Sequence, residues 1–198
     1  MTTTNVFAEL LIIGIETIGW IALLIFSAFG YHWLDFSIFN HLAVAVPLAV
    51  AAYVLGIIMD RVSDKLLAGA DHAIRRRVLD EQTAKAFAPM RLYILAQSPY
   101  LSTELDYMRS RLRIMRSSFI NFGLLGVTGA AFILSRVVTT TSTRYGAAAA
   151  TLGAGILLAS LSYYAWRASS MTYYLRLQTA LSLLPKKDWT TAGEKKPK

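Results

Sequence analysis

The sequence predicts an all-α, polytopic membrane protein with four transmembrane helices, the second and third of them continuing as helix into the cytoplasm. Three observations predict it. Charged residues make up 16% of the chain, against the quarter usual in soluble domains, while 55% of residues are hydrophobic and mean hydropathy is +0.46. The missing charge is concentrated in four stretches, each close to the ~20 apolar residues that a bilayer core demands. The basic residues, finally, gather in two of the connecting regions and nearly avoid the others.

The apolar stretches are 7–29, 38–59, 117–135 and 146–166. The start of the chain has no basic n-region, and the run after it is too long for a signal-peptide core, so it reads as a retained first span. Between the first two spans lie Tyr31 and Trp33, amphipathic rings suited to a membrane–water interface. Residues 136–145, rich in Thr and Ser, read as a loop between the last two spans. Pro47 removes one donor from the second span and is expected to kink it.

Orientation follows from the Lys and Arg count. Residues 60–116 hold eleven of them and the tail after Trp166 holds seven, whereas the two short loops hold only Arg136 and Arg144. Positive charge stays inside, so the large loop, the tail and both termini are expected on the cytoplasmic side. A bacterial cytoplasmic membrane fits the composition. The domain organisation read this way is 1–59 (spans 1 and 2), 60–116 (cytoplasmic helical hairpin), 117–166 (spans 3 and 4) and 167–198 (a helix, then a basic tail).

Within the hairpin, Val62, Leu66, Ala70, Ile74 and Val78 recur at i, i+4, the mark of one helical face. Pro89 and Pro99 bracket a short apolar piece, each disfavouring helix in the residue before it. Thr103 and Asp106 read as a capping box that opens the helix leading into the third span. Beyond Trp166 the chain stays helical until Pro185, and the remaining basic residues read as a disordered tail.

The sequence excludes several chemistries. With no cysteine there is no disulfide, thiolate ligand or thiol nucleophile. His32, His41 and His72 lie in different segments without metal-ligand spacing, so no metal and no cofactor are expected. No serine sits in a nucleophile-elbow context. The net charge of +8 accompanies no nucleic-acid-binding motif and reads as membrane orientation.

Four groups of polar residues remain as candidates. Glu16 lies about 14 Å into the first span, where a carboxylate costs on the order of 3 kcal/mol. It reads either as a proton or cation site or as a neutral group bonded across helices, with Thr128 the expected partner. Asn121 is an expected interhelical hydrogen-bond partner, and Glu9 an expected ion-pair partner of Arg116 or Arg167. Asp60 and Asp64 share a helix face at a spacing that can hold Mg²⁺ on a diphosphate, or can pair with nearby basic residues. Arg109, Arg113 and Arg116 form one basic stripe and Arg75, Arg76 and Arg77 another, suited to headgroups, an anionic ligand or a partner. Small residues at Gly123, Gly126 and Gly129, and at Gly146, Ala150, Gly153 and Gly155, suit close helix approach within the chain or between copies.

The leading reading is a non-enzymatic membrane protein, a scaffold, sensor or membrane-disrupting effector. Its bundle contacts lipid and self-associates as a homo-oligomer, and its cytoplasmic helices bind a cytosolic protein partner. Two alternatives stand beside it: a proton or cation conduit centred on Glu16, and an intramembrane enzyme acting on lipid or diphosphate substrates through Asp60 and Asp64.

Overall fold

The computed structural model describes residues 3–33, 42–79, 83, 87–97 and 99–183. The elements in order are α1 (Thr3–Phe29), α2 (Leu42–Val78), α3 (Phe87–Gln97), α4 (Pro99–Arg136) and α5 (Thr141–Leu183), with no strand among the described residues. Four of them, α1, α2, α4 and α5, are long and apolar enough to cross a membrane. The all-helical, four-span architecture expected from the sequence is therefore present. The start of the second span before residue 42, His41 and the basic tail lie outside the described residues.

At the helical rise, the 37, 38 and 43 residues of α2, α4 and α5 reach about 55, 57 and 65 Å. A hydrocarbon core is about 30 Å thick, so each helix is about twice the length that a bilayer needs. The chain accordingly folds as two compact units. Residues 2–66 and 113–165 form a bundle unit, and residues 67–112 and 166–198 a second one. Helices α2, α4 and α5 contribute residues to both.

In the bundle unit the helices alternate in direction. Gly56 meets Leu10 and Gly14 meets Ala52, pairs that run oppositely along α1 and α2. Gly126 meets Gly155 and Gly129 meets Thr151, the same antiparallel relation between α4 and α5. Helices α1 and α4 instead run parallel, with contacts at a sequence offset of 104 (Thr17–Asn121) to 108 (Ser27–Ser135). The apolar window of α4 is 39% buried, against 22% or less for the other three, because α4 touches all of them. The outer faces keep large apolar side chains exposed, among them Ile15, Val50, Ile58, Leu157 and Leu161. So much exposed aliphatic surface is a liability in water and a match for lipid.

Close packing depends on four glycines. A Cβ on Gly14 would overlap the Ala52 carbonyl, and one on Gly56 the Leu10 carbonyl. Built on Gly126 it would lie 2.9 Å from the Gly155 Cα, and on Gly155, 2.5 Å from the Gly126 Cα. In lipid no hydrophobic effect draws helices together, so backbone contact of this kind supplies dispersion in its place. Gly123, Gly146 and Gly153 meet nothing within 4 Å. Alanine at Gly123 is expected to leave stability unchanged or raise it by up to ~1 kcal/mol through helix propensity, and alanine at Gly146 or Gly153 to do the same at high dilution, where copies are apart, read by unfolding in mild detergent. A clear loss at Gly123, or at the other two on concentration, would mean that a second copy of the chain fills that space.

The C-terminus of α1 is closed largely by groups of the chain itself. Gly30 adopts a left-handed φ of 78° and donates its N–H to the Phe26 carbonyl at 2.9 Å, the αL cap that glycine permits at least cost. Arg136, at the end of α4, reaches back to donate to the Ser27 carbonyl at 2.9 Å and to that of Ala28. Three orphan carbonyls are thereby satisfied. Arg136 had counted in the sequence only as a loop charge.

Several sequence expectations are corrected here. Helix α4 opens at Pro99, four residues before the expected capping box, since proline suits the first helical position and its missing N–H is no loss there. Thr103 and Asp106 lie within the helix. Pro89 is likewise absorbed in the first turn of α3, with Ala88 helical before it. The loop between the last spans shrinks to 137–140, because Arg144 N–H bonds the Thr140 carbonyl at 2.9 Å and so begins α5 at Thr141. The expected apolar face of the α2 extension holds in its outer part, where Ile74 is buried and Ala70 and Val78 are half-buried, but not near the span, where Met59 and Ser63 are buried while Val62 and Leu66 are exposed. Asp60 and Asp64 must meet arginines of α4, and that sets the roll of α2.

The second unit has a core of its own: Ile74, Leu79, Met90, Ile94, Leu105, Tyr173, Tyr174 and Leu177 are all buried. Tyr174 donates its hydroxyl to Asp71 at 2.8 Å and stacks edge-on against Phe87, over which Arg75 lies at 5.1 Å. Arg176 pairs with Glu104, and Arg91 with Asp106 at 3.9 Å.

Candidate functional site

The polar residues of the bundle unit gather in two adjoining clusters on the faces shared by α1, α2 and α4. The first is ionic. Asp60 and Asp64 are one helical turn apart on α2, and Arg113 and Arg116 one turn apart on α4. Arg116 spreads its guanidinium across both aspartates, with Nη2 on Asp60 Oδ1 at 2.9 Å and Nη1 on Asp64. Arg113 lies 3.9 Å from Asp60 and 3.5 Å from Glu9, a buried residue of α1. Three helices are thus tied by three carboxylates and two guanidinium groups. The planar fork of arginine suits this bridging, and a point-charge ammonium does not.

The second cluster lies further along α1. The Glu16 carboxylate accepts from the Ser118 hydroxyl at 2.8 and 3.0 Å and from the Asn121 amide at 3.0 Å. Asn121 is fully buried and is the hub of the cluster. Its Nδ2 also donates to the Ile13 carbonyl at 3.2 Å, and its Oδ1 accepts from Thr17 at 3.3 Å and Trp20 at 3.2 Å. The side-chain amide therefore uses both its donors, and its oxygen accepts from Trp20 and shares the Thr17 hydroxyl proton with the Ile13 carbonyl, which lies 2.8 Å from that hydroxyl. Ser117, one turn from Arg113 and one from Asn121 on the same α4 face, is fully buried, and its hydroxyl has no hydrogen-bond partner.

Thr128 is not the partner of Glu16. It donates to the carbonyl of Leu124 in its own helix at 2.8 Å. The ionic cluster sets a different register, drawing Arg113 level with Glu9: that is an offset of 104 residues (113 − 9) where Thr128 on Glu16 needs 112 (128 − 16), and the difference of eight moves the partner by about 12 Å. For the same reason Glu9 meets Arg113 and not Arg116 or Arg167.

The remaining candidates are dispersed. In the second unit Arg75 contacts His72 at 2.5 Å and the Phe87 ring, while Arg76, Arg77 and Arg109 are exposed. The arginine stripe read as one surface is therefore divided, with Arg113 and Arg116 engaged by carboxylates of their own chain. Asp60 and Asp64 carry those arginines, and among the described residues no group of three His, Asp or Glu side chains is placed to hold a metal ion. Thr17, Trp20, Ser117 and Ser118 were not singled out in the sequence. The available signal was their spacing: Ser117, Ser118 and Asn121 fall within one turn, as do Glu16, Thr17 and Trp20. The chain matches no family model, and comparison with curated proteins and with solved structures finds no match.

Proposed function

We propose that this protein is a non-enzymatic membrane scaffold or sensor in which a lipid-embedded bundle presents a folded cytoplasmic unit to a protein partner. The observation that carries the reading is the second unit, a helical body with its own buried core, built from the ends of three membrane helices and α3. Its charge supports a cytoplasmic position. Of the chain's 20 Lys and Arg it holds 14, and of its 12 Asp and Glu only 7, so it carries +7 of the net +8. Exposed Tyr100, Tyr107, Leu92, Arg76, Arg77 and Arg109 offer aromatic, aliphatic and basic groups for contact, the types enriched where proteins bind one another. Self-association belongs to the same reading, through the α5 face where Gly146 and Gly153 leave open space.

Orientation is tested directly, because a cysteine-free chain accepts single cysteines without background. Cysteine at Thr83 or Thr191 is expected to react with an impermeant reagent only from the cytoplasmic side, and at Thr141 only from outside. Reaction of Thr83→Cys from outside would reverse the topology and remove the cytoplasmic partner. Partner binding is tested in the full chain in its membrane, with a photo-crosslinking residue at Arg76, Arg109 or Tyr107. A discrete protein adduct, reduced by charge reversal at the neighbouring arginine, is the expected result. Lipid adducts alone at all three positions would overturn the reading.

A further inference from the structure

We propose that Glu16 is an exchangeable proton site of the bundle, reached past Ser117 from the side of the ionic cluster and closed beyond Trp20, so that it binds a proton without conducting one. The site suits both states of the carboxyl group. As a carboxylate it accepts from Ser118 and Asn121 at 2.8–3.0 Å. Once protonated it donates to the Ser118 oxygen, because a hydroxyl can reverse its role, and the Asn121 amide continues to donate to the carbonyl oxygen. In either state the carboxyl group itself has partners.

The approach is the second observation. Ser117 lies between Arg113 and Asn121 on the α4 face that meets α1, fully buried with its hydroxyl unpartnered. A buried polar group without a partner costs about 1–3 kcal/mol. A hydroxyl spaced between an ion-pair cluster and a carboxyl is what a proton relay uses. The far side is different. Past Trp20 the seam between α1 and α4 brings Gly19 against Leu125 and Leu23 near Gly129, while Thr128 is turned to its own backbone. The next polar pair along the seam is Ser27 with Ser135, at 3.0 Å.

Charged neighbours bias the site from one end only. They are Glu9 on α1, Asp60 and Asp64 on α2, and Arg113 and Arg116 on α4. Helix α5 brings no charged residue between 145 and 165. The phenols Tyr53 and Tyr163 pack against Phe7 and Phe119. With three carboxylates against two guanidinium groups, the ionic cluster has an excess negative charge that favours approach of a proton.

The test is infrared spectroscopy of the full-length protein in liposomes, following a protonated-carboxyl band through a pH titration and through exchange into deuterium oxide. In the wild type a titrating band is expected, absent from Glu16→Gln and displaced in frequency in Glu16→Asp, which retains a carboxyl should the Gln variant fail to fold. Ser117→Ala removes an unpartnered group and is expected to fold normally, yet to slow deuterium exchange of that band about a hundredfold, the low end for a positioned proton carrier. A pH-sensitive dye trapped in the same liposomes is expected to report no proton flux. A band unchanged in both Glu16 variants, or exchange in Ser117→Ala as fast as in the wild type, would overturn the proton site. Flux through wild-type protein would overturn the closed end.

Discussion

Alanine in place of Gly56 is expected to separate α1 from α2 and unfold the bundle in mild detergent under conditions where the wild type stays folded. The new methyl group would overlap the Leu10 carbonyl, a backbone atom that no rotamer change can move aside. The partner site is equally tight, since Gly14 faces the Ala52 carbonyl. Relief requires the two helices to move apart along the whole crossing, which forfeits the dispersion contacts that lipid does not replace. Overpacking in cores that can adjust costs about 1–3 kcal/mol, and a backbone-to-backbone clash belongs at or above the top of that range. Alanine at Gly56 and at Gly14 should therefore each lower the midpoint strongly, and the double variant should add little once the crossing is lost. Near-wild-type stability for Gly56→Ala would mean that α1 and α2 do not cross at these residues.

Loss of Arg116 is expected to be the most damaging change among the charged residues. Leucine there preserves much of the volume but leaves Asp60, whose side chain is 17% exposed, with only Arg113 at 3.9 Å. Breaking a buried pair costs about 3–5 kcal/mol, and the lower end applies because Asp64 is 59% exposed and shares its charge with water. Lysine should recover part of the loss and not all of it, since one ammonium cannot bridge both aspartates as the fork does. Removing the carboxylates as well is the decisive control. Asp60→Asn with Asp64→Asn in the Arg116→Leu background should be more stable than Arg116→Leu alone, by unfolding midpoint. If the three variants are equally stable, the ionic cluster contributes nothing to the fold.

The sequence by itself determined the secondary structure and the number of spans. Charge-free runs of the length of a bilayer admit one economical solution, a helix that satisfies its own backbone. The helical continuation beyond the spans was legible for the same local reason, from apolar spacing and the absence of breakers. The candidate polar residues could be named as well, because Glu16 and Asn121 stand out wherever the surroundings are apolar.

Which of them meet was decided only by the tertiary structure. Register and roll are properties of pairs of helices, and no local pattern contains them. The Arg113–Glu9 contact slides α4 against α1 and gives Glu16 to Ser118 and Asn121 instead of Thr128. The demand of Arg116 for two aspartates turns α2, burying Ser63 and exposing Val62 and Leu66. The Ala52-xxx-Gly56 spacing was present in the sequence but, like Gly14, acquires meaning only where two backbones touch. Local physics selects helices over the bilayer length, whereas a few long-range contacts between polar groups and bare backbone select one arrangement among the many that the same helices allow.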